Sequence, residues 1–355
     1  MKVFRSYRHR ELAPECALTI GNFDGVHRGH QAMLALLNSE AQHRGIPSCA
    51  MTFEPHPRDY FAALAKKPET APPRIATLRD KLTELKRCGI DQCVVLPFNH
   101  ALASQAPEAF IDEVLVKGLG AKYILVGDDF RFGAKRAGGY AMLDAAGQLA
   151  GFDVARMNSY EVQSTRVSSS AVRQALSSGD MAQAASLLGR PYSISGHVVH
   201  GRKLGRDLGF RTLNLRFSHW NPAASGIFAV HVFGLSDKPL TGVANLGVRP
   251  SIDANDINRG RVLLETYCLD WPSTLGTDGG YGKIVRVELL KKLHGELKYD
   301  GLDALKKGIA KDCADARAFF ANLHSETARQ TTRDRIKTIN QCGFGPQLFA
   351  PPPHF

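Results

Sequence analysis

Short, uninterrupted apolar runs alternate through the first half of the chain with stretches whose apolar residues recur at helical spacing. Ala17, Leu18, Thr19 and Ile20 form the first run and Pro47 to Phe53 the second, with further runs at Gln92 to Pro97 and Tyr123 to Val126. Between and around them, Gln31 to Leu37, Arg79 to Cys88 and Pro107 to Val116 carry the periodicity of helices that bury one face. Pro107 suits a first helical turn, where its missing N–H costs nothing. Strands buried on both faces lack polar alternation, so this order predicts an α/β domain with a parallel sheet and helices on both sides. Glu54 to Pro73 is proline-rich and reads as a loop placed to lie over a ligand site. Ser168 to Ser178 and Met181 to Leu188 read as two further helices.

Around Arg190 and Pro191 the period changes. Ser193 to Val199, Gly226 to Phe233, Leu263 to Leu269 and Lys283 to Leu290 alternate in short runs separated by glycine-bearing turns, the pattern of a small β-barrel or sandwich. Leu302 to Leu323 then reads as one long amphipathic helix with Leu305, Ile309, Ala316 and Phe320 on its apolar stripe. Past Ser325 the chain becomes polar and then proline-rich, which predicts a poorly ordered tail. The expected units are therefore 1–187, 188–325 and a tail at 326–355.

A length of 355 residues agrees with two domains. The formal charge of +11 would suit a polyanionic partner, but the basic residues are spread along the chain, as on a solvated surface. There is no aromatic-rich RNA-stacking motif and no apolar stretch near the roughly 20 residues that cross a bilayer. No nucleic acid, no membrane and a cytoplasmic location are expected, and a homo-oligomer is left open. The seven cysteines form no CxxC pair and no zinc spacing, which predicts free thiols.

Three polar or glycine-rich segments fall at carboxyl ends of predicted strands, where parallel sheets bind ligands: GNFDGVHRGH, TFEPHPRD and GDDFRFG. In the first, Gly21 and Gly25 permit close backbone approach, and Asn22, Asp24, His27 and His30 line the loop before a helix. A helix N-terminus attracts phosphate, and two imidazoles beside it can donate hydrogen bonds as charge grows on a leaving pyrophosphate. VSSSAVR (residues 167 to 173) places Ser168, Ser169 and Arg173 at a second helix start, suited to a triphosphate. In HGRKLGRDLGFRTLNL (residues 200 to 215), Gly201 and Gly205 let backbone wrap a phosphate while Lys203 and Arg206 supply positive charge. Thr212 and Asn214 alternate on one strand face, as two oxygen ligands for Mg²⁺ would.

GNFDGVHRGH, TFEPHP, LPFN, GDDFRFG and VSSSAVR, in this order and spacing, resemble the bacterial bifunctional riboflavin kinase/FMN adenylyltransferases, or FAD synthetases. The resemblance runs from about Phe4 to Phe320. It implies a Rossmann-like nucleotidyltransferase domain that transfers AMP from ATP to FMN, followed by a flavokinase-like antiparallel barrel with a closing helix. It implies that His27 and His30 stabilise phosphoryl charge, that Ser169 and Arg173 brace the leaving phosphates, and that Mg²⁺ bridges them. Phe53, His56, Asn99 and Asp129 would lie near the flavin and nucleotide. In the second unit ANLGVRPSI, with Arg249, resembles a flavin-side motif, and LLETYCLD resembles the strand carrying the general base, here Glu265. Arg211 and Leu213 depart from the family's metal-binding motif but spare Thr212 and Asn214. ATP, riboflavin and FMN are the implied substrates. Two rivals are a monofunctional adenylyltransferase with a degenerate barrel and a nucleic-acid-binding protein; retention of Thr212, Asn214 and Glu265 argues against the first.

Overall fold

The computed structural model describes residues 1–158, 160–162, 165–200, 210–216, 221–249, 261–276 and 279–341. Its first half is a six-stranded sheet built from β1 (Lys2–Phe4), β2 (Cys16–Ile20), β3 (Ser48–Glu54), β4 (Gln92–Pro97), β5 (Ala121–Gly127) and β6 (Asp153–Met157). The spatial order is β1-β4-β3-β2-β5-β6, and every pairing is parallel. β2 lies near the middle with all of its residues buried, which is why its sequence shows no polar alternation.

The connecting helices are α1 (Arg28–Arg44), α2 (Pro57–Leu64), α3 (Leu78–Arg87), the short α4 (His100–Ala103), α5 (Pro107–Ala109) and α6 (Tyr140–Ala150). The expected loop at 54–73 thus contains α2, which Pro57 opens at its first turn beneath the cap His56. The expected helix at Pro107 to Val116 becomes π-helical from Phe110 to Val116. β1, α6 and β6 complete the domain without having been foreseen. A small hairpin, β7 (Glu161–Val162) with β8 (Thr165–Arg166), follows.

Two helices, α7 (Ser169–Ser178) and α8 (Met181–Leu188), join the halves. Val172, Leu176, Leu187 and Leu188 on this pair belong to the same buried cluster as Val198, Leu213, Val230 and Leu289 of the second half. The seam is therefore a shared core and not a flexible linker. Polar contacts reinforce it: Ser195 N–H donates to Asp80 Oδ2 at 3.2 Å, and Arg74 N–H to Asn221 O at 3.3 Å.

The second half is a closed antiparallel barrel, so the alternative of a sandwich falls away. Its strands are β9 (Tyr192–Val199), β10 (Thr212–Arg216), β11 (Gly226–Phe233), β12 (Leu240–Arg249), β13 (Arg261–Cys268) and β14 (Ile284–His294), in the order β10-β13-β12-β11-β14-β9. Helix α9 (Leu302–Gln341) packs Ala316 and Phe320 on the barrel beside Ala229 and Val243. It runs sixteen residues beyond Ser325, past the point where a poorly ordered tail was expected. The polar composition there removes burial as a driving force but contains no proline to stop a helix already nucleated on the barrel.

Candidate active sites

Between β2 and α1 the chain makes a loop with three left-handed residues close together: Phe23 at φ 48°, Gly25 at 84° and Val26 at 41°. Glycine is required at 25, because a Cβ there would lie 2.8 Å from Ile75 Cγ2. His27 then caps α1, its Nδ1 accepting the His30 main-chain N–H at 3.3 Å. With Nδ1 engaged as acceptor, the neutral ring carries its proton on Nε2. The His27 and His30 rings stack with centroids 3.6 Å apart. His30 Nδ1 is buried and has no hydrogen-bond partner. Burial is the main cause that lowers His27 to about 4; burial, then the charges of His27 and Lys81, hold His30 well below the ordinary imidazole range.

This loop borders a cleft of about 970 Å³ at the carboxyl edge of the sheet. Gly21, Asn22, Asp24, Phe53, His56, Asp129, Ser168, Ser169 and Arg173 all line it, together with His27 and His30. One wall is aromatic: Phe98 stands edge-on to Phe53 and to Phe61, each at 5.8 Å, and Tyr60, outside the lining, packs on Phe98 at 5.5 Å. Arg58, Arg131, Lys135 and Arg136 add positive charge around the opening. An apolar aromatic wall facing cationic and helix-terminal donors matches a ligand that is part ring and part phosphate.

Several expected side chains are already engaged. Ser168 Oγ caps α7 by accepting from Ala171 N at 3.2 Å, and Ser169 Oγ donates to Asp24 O at 3.2 Å. Arg173 donates from Nη2 to Asp24 Oδ2 at 2.7 Å and from Nε to Pro73 O at 2.6 Å. Asp24 also accepts from the Ile75 and Ala76 main-chain N–H groups. Burial alone would raise its carboxyl, but Arg74, Arg173 and those two N–H groups together hold it below its usual range. Asp24 is thus an acceptor satisfied by the protein and holds Arg173 against the cleft floor; a carboxylate would in any case repel phosphate. His56 is buried, caps α2 through the Arg58 N–H, and is lowered to about 3, first by burial and then by Arg74. Asn99 stands outside the lining: it is exposed, and its Oδ1 caps α4 at Leu102 N.

Two charged residues beneath the cleft gave no sequence signal. Arg74 is 2% exposed and meets Asp59 at 2.9 Å and Glu54 at 3.5 Å, with Asp24 4.0 Å away. Lys81 is wholly buried, and its Nζ donates to Thr52 Oγ1 at 3.2 Å. Charge predicts exposure, so buried cations are invisible to pattern reading.

The barrel holds a second, separate group. Asn214 on β10 pairs directly with Glu265 on β13, and Glu265 pairs with Asn245 on β12. Leu213, Leu215, Leu264 and Leu246, the alternating neighbours, belong to the shared buried core. The row Asn214–Glu265–Asn245 therefore lies on the opposite face of three adjacent strands. Asn214 Oδ1 and Asn245 Oδ1 are buried without hydrogen-bond partners. Asn245 could have been found by extending the register of Asn214 and Glu265 to the next strand. Arg249 lies on β12 opposite Arg261, and its side chain is outside the described residues, as are Gly201, Lys203, Gly205 and Arg206 altogether.

A cleft of helix N-termini and cations at the carboxyl edge of a parallel sheet, coupled to a barrel with its own polar row, is the design of a two-domain phosphorus-group transferase. A family model described as FAD synthetase matches residues 9–171, and one described as riboflavin kinase matches 188–320. The bifunctional riboflavin kinase/FMN adenylyltransferase of Escherichia coli (strain K12) is 43% identical over 90% of this chain and 98% of its own. That of Haemophilus influenzae is 41% identical over 86% of this chain and 94% of its own. The chain belongs to the bifunctional riboflavin kinase/FMN adenylyltransferase family. A solved structure described as a macrolide-efflux protein from Streptococcus pneumoniae superposes at a TM-score of 0.69 with 26% identity, covering 89% of this chain and 99% of that one. Among the described residues no helix is long and apolar enough to cross a membrane.

Proposed function

We propose that the chain is a cytoplasmic enzyme that phosphorylates riboflavin in its barrel, within 188–325, and adenylylates the resulting FMN in its α/β cleft, within 1–187. The observation that carries this reading is the occurrence of two separate polar constellations, the stacked histidine pair and the Asn214–Glu265–Asn245 row, one in each half.

In the cleft, an FMN phosphate oxygen attacks the α-phosphorus of ATP, the α–β bridging bond breaks, and pyrophosphate leaves with the electron pair. No residue needs to form a covalent bond. Catalysis is alignment plus charge stabilisation. The aromatic wall at Phe53 and Phe98 suits the isoalloxazine ring, with Asp129 at the same opening. Nε2–H of His27, the starts of α1 and α7, and the remaining N–H groups of Arg173 suit the phosphates.

In the barrel, Glu265 takes the proton of the riboflavin 5′-hydroxyl as its oxygen attacks the γ-phosphorus, and ADP leaves. The orphaned Asn214 Oδ1, with Thr212 two residues away on the same strand face, fits a hard divalent cation. Thr212 and Asn214 would hold Mg²⁺, which when bound supplies charge neutralisation at the ATP phosphates. Arg249 and the 201–206 segment are assigned to the flavin and the phosphates of this second site.

Incubation of the purified chain with riboflavin, ATP and Mg²⁺, followed by chromatographic resolution of the flavins, tests the reading. FMN and FAD are expected. Glu265→Gln should abolish FMN formation and spare FMN-to-FAD conversion, and His30→Ala should do the reverse. Loss of both activities in either folded variant would overturn the two-site assignment.

A further inference from the structure

Arg190 stands just after α8, in the segment matched by the riboflavin kinase model and beyond the end of the FAD synthetase match at 171. Its guanidinium nevertheless reaches into the first half. Nη2 donates to Gly25 O at 2.7 Å, and Nη1 donates to Val26 O at 3.2 Å and to Leu188 O at 3.1 Å. Nε faces Glu84 Oε2 on α3 at 3.2 Å. Gln31 Nε2 converges on the same two carbonyls, Val26 O at 2.9 Å and Leu188 O at 2.8 Å.

Gly25 and Val26 are two of the three left-handed residues of the loop, and His27 follows at once. A non-glycine residue such as Val26 keeps a left-handed conformation only where its surroundings hold it there. The planar fork of an arginine can grip several carbonyls from fixed directions, whereas a lysine offers one nitrogen. Glu84 fixes the fork's orientation from behind.

Resting on the function proposed above, we propose that Arg190 is a positioning residue for adenylyl transfer: a side chain from the kinase half clamps the Gly25 and Val26 carbonyls and so sets the His27–His30 pair. Arg190 touches no substrate. Its removal lets the loop relax and misplaces the histidines by a fraction of an ångström to an ångström, a displacement that costs on the order of 100-fold in rate when it affects groups aligned on a transition state. FMN formation, which uses the other face of the barrel, is unaffected.

The test uses the full chain, wild type against Arg190→Ala and Arg190→Lys, with FMN adenylylation and riboflavin phosphorylation measured separately. Arg190→Ala is expected to lower kcat for FAD formation by about 10- to 100-fold with a much smaller change in KM for ATP, and to keep FMN formation within about twofold. Added guanidinium ion should restore part of the lost FAD formation in Arg190→Ala and do nothing for wild type. Arg190→Lys should fall between the two. The proposal is overturned if Arg190→Ala makes FAD at the wild-type rate, if both activities fall alike, or if guanidinium restores nothing. Absence of FAD from wild type itself would sink the proposed function as well, whereas normal FAD formation by both proteins sinks only the role of Arg190.

Discussion

His27 and His30 stack face to face, with ring centroids 3.6 Å apart and planes 14° from parallel. Two imidazolium ions do not share that spacing in a buried site, and burial lowers both, His27 to about 4. The pair is neutral at pH 7, so FAD formation should show no acid limb centred near the ordinary histidine value of about 6.5. A pH–rate profile of FMN adenylylation checks this. The same burial has a stability consequence. A histidine whose folded pKa lies below its unfolded one binds fewer protons folded than unfolded, so its contribution is complete above about pH 6.5 and is lost as pH falls toward 4. Urea midpoints measured through that window should fall more steeply for wild type than for His27→Gln, which has no proton to take up.

Asp24 joins two cations from well-separated segments of the first half, Arg173 at 2.7 Å and Arg74 at 4.0 Å. Removing one member of a buried ion pair strands the other, at a cost of about 3 kcal/mol or more. Asp24→Asn keeps the shape and removes the charge. It should lower stability by roughly that amount in urea titration, and it should reduce FAD formation by at least about tenfold as Arg173 loses its anchor. FMN formation under conditions where the variant is folded should hold.

Much of this architecture is legible in the order of residues, and the exceptions share a cause. Gln92–Pro97, Met181–Leu188 and Gly226–Phe233 match their expected bounds, because each has an unambiguous apolar pattern between clear breaks. α2 lies in a segment whose prolines at 55, 57, 68, 72 and 73 read as loop, although Pro57 starts the helix. That the segments at the carboxyl ends of the strands line one cleft was legible for the same reason that the sheet was. What those residues do to one another was not. That Arg173 points at Asp24 and that Arg74 and Lys81 are buried beneath the cleft depend on contacts between segments tens of residues apart. Local periodicity carries no information at that range.

The closing helix meets the barrel through a titratable contact. His294 Nε2 on β14 lies 2.7 Å from Asp312 Oδ1 on α9, and His294 Nδ1 faces Gly295 O at 2.7 Å. Partial burial opposes the charge on His294, but the hydrogen bonds to Asp312 and Gly295, with the Asp312 charge, outweigh it and raise the imidazole above its ordinary value. A histidine raised in the folded state contributes stability that is fully present below about pH 6.5 and is lost as pH rises through its folded pKa. Asp312→Asn should therefore cost more stability at pH 6 than at pH 8 or above, by about the same urea assay at each. Proteolysis of α9 followed over the same range should accelerate with rising pH in wild type and show a weaker pH dependence in the variant.

Lys81 poses the opposite balance, a charge held where it is unwelcome. Burial first, and then the neighbouring Arg74 charge, lower its ammonium from 10.5 to about 8. Its Nζ donates to Thr52 Oγ1, which in turn donates to Asn22 O at 3.2 Å, so the chain of hydrogen bonds ends on the backbone of the loop between β2 and α1. Because the folded pKa lies below the unfolded one, the penalty for keeping Lys81 charged is full below about pH 8 and fades as pH rises toward 10.5. Lys81→Met fills similar volume without the charge. It should be at least as stable as wild type at neutral pH, and its advantage should shrink or reverse between about pH 8 and pH 10 as wild type sheds its proton. Urea denaturation at the two ends of that range measures the change. FAD formation should nonetheless fall in Lys81→Met, since Thr52 loses the donor that orients it toward Asn22 O, while FMN formation stays constant. A variant that gains stability and keeps full FAD formation would mean that the buried ammonium braces nothing in the cleft.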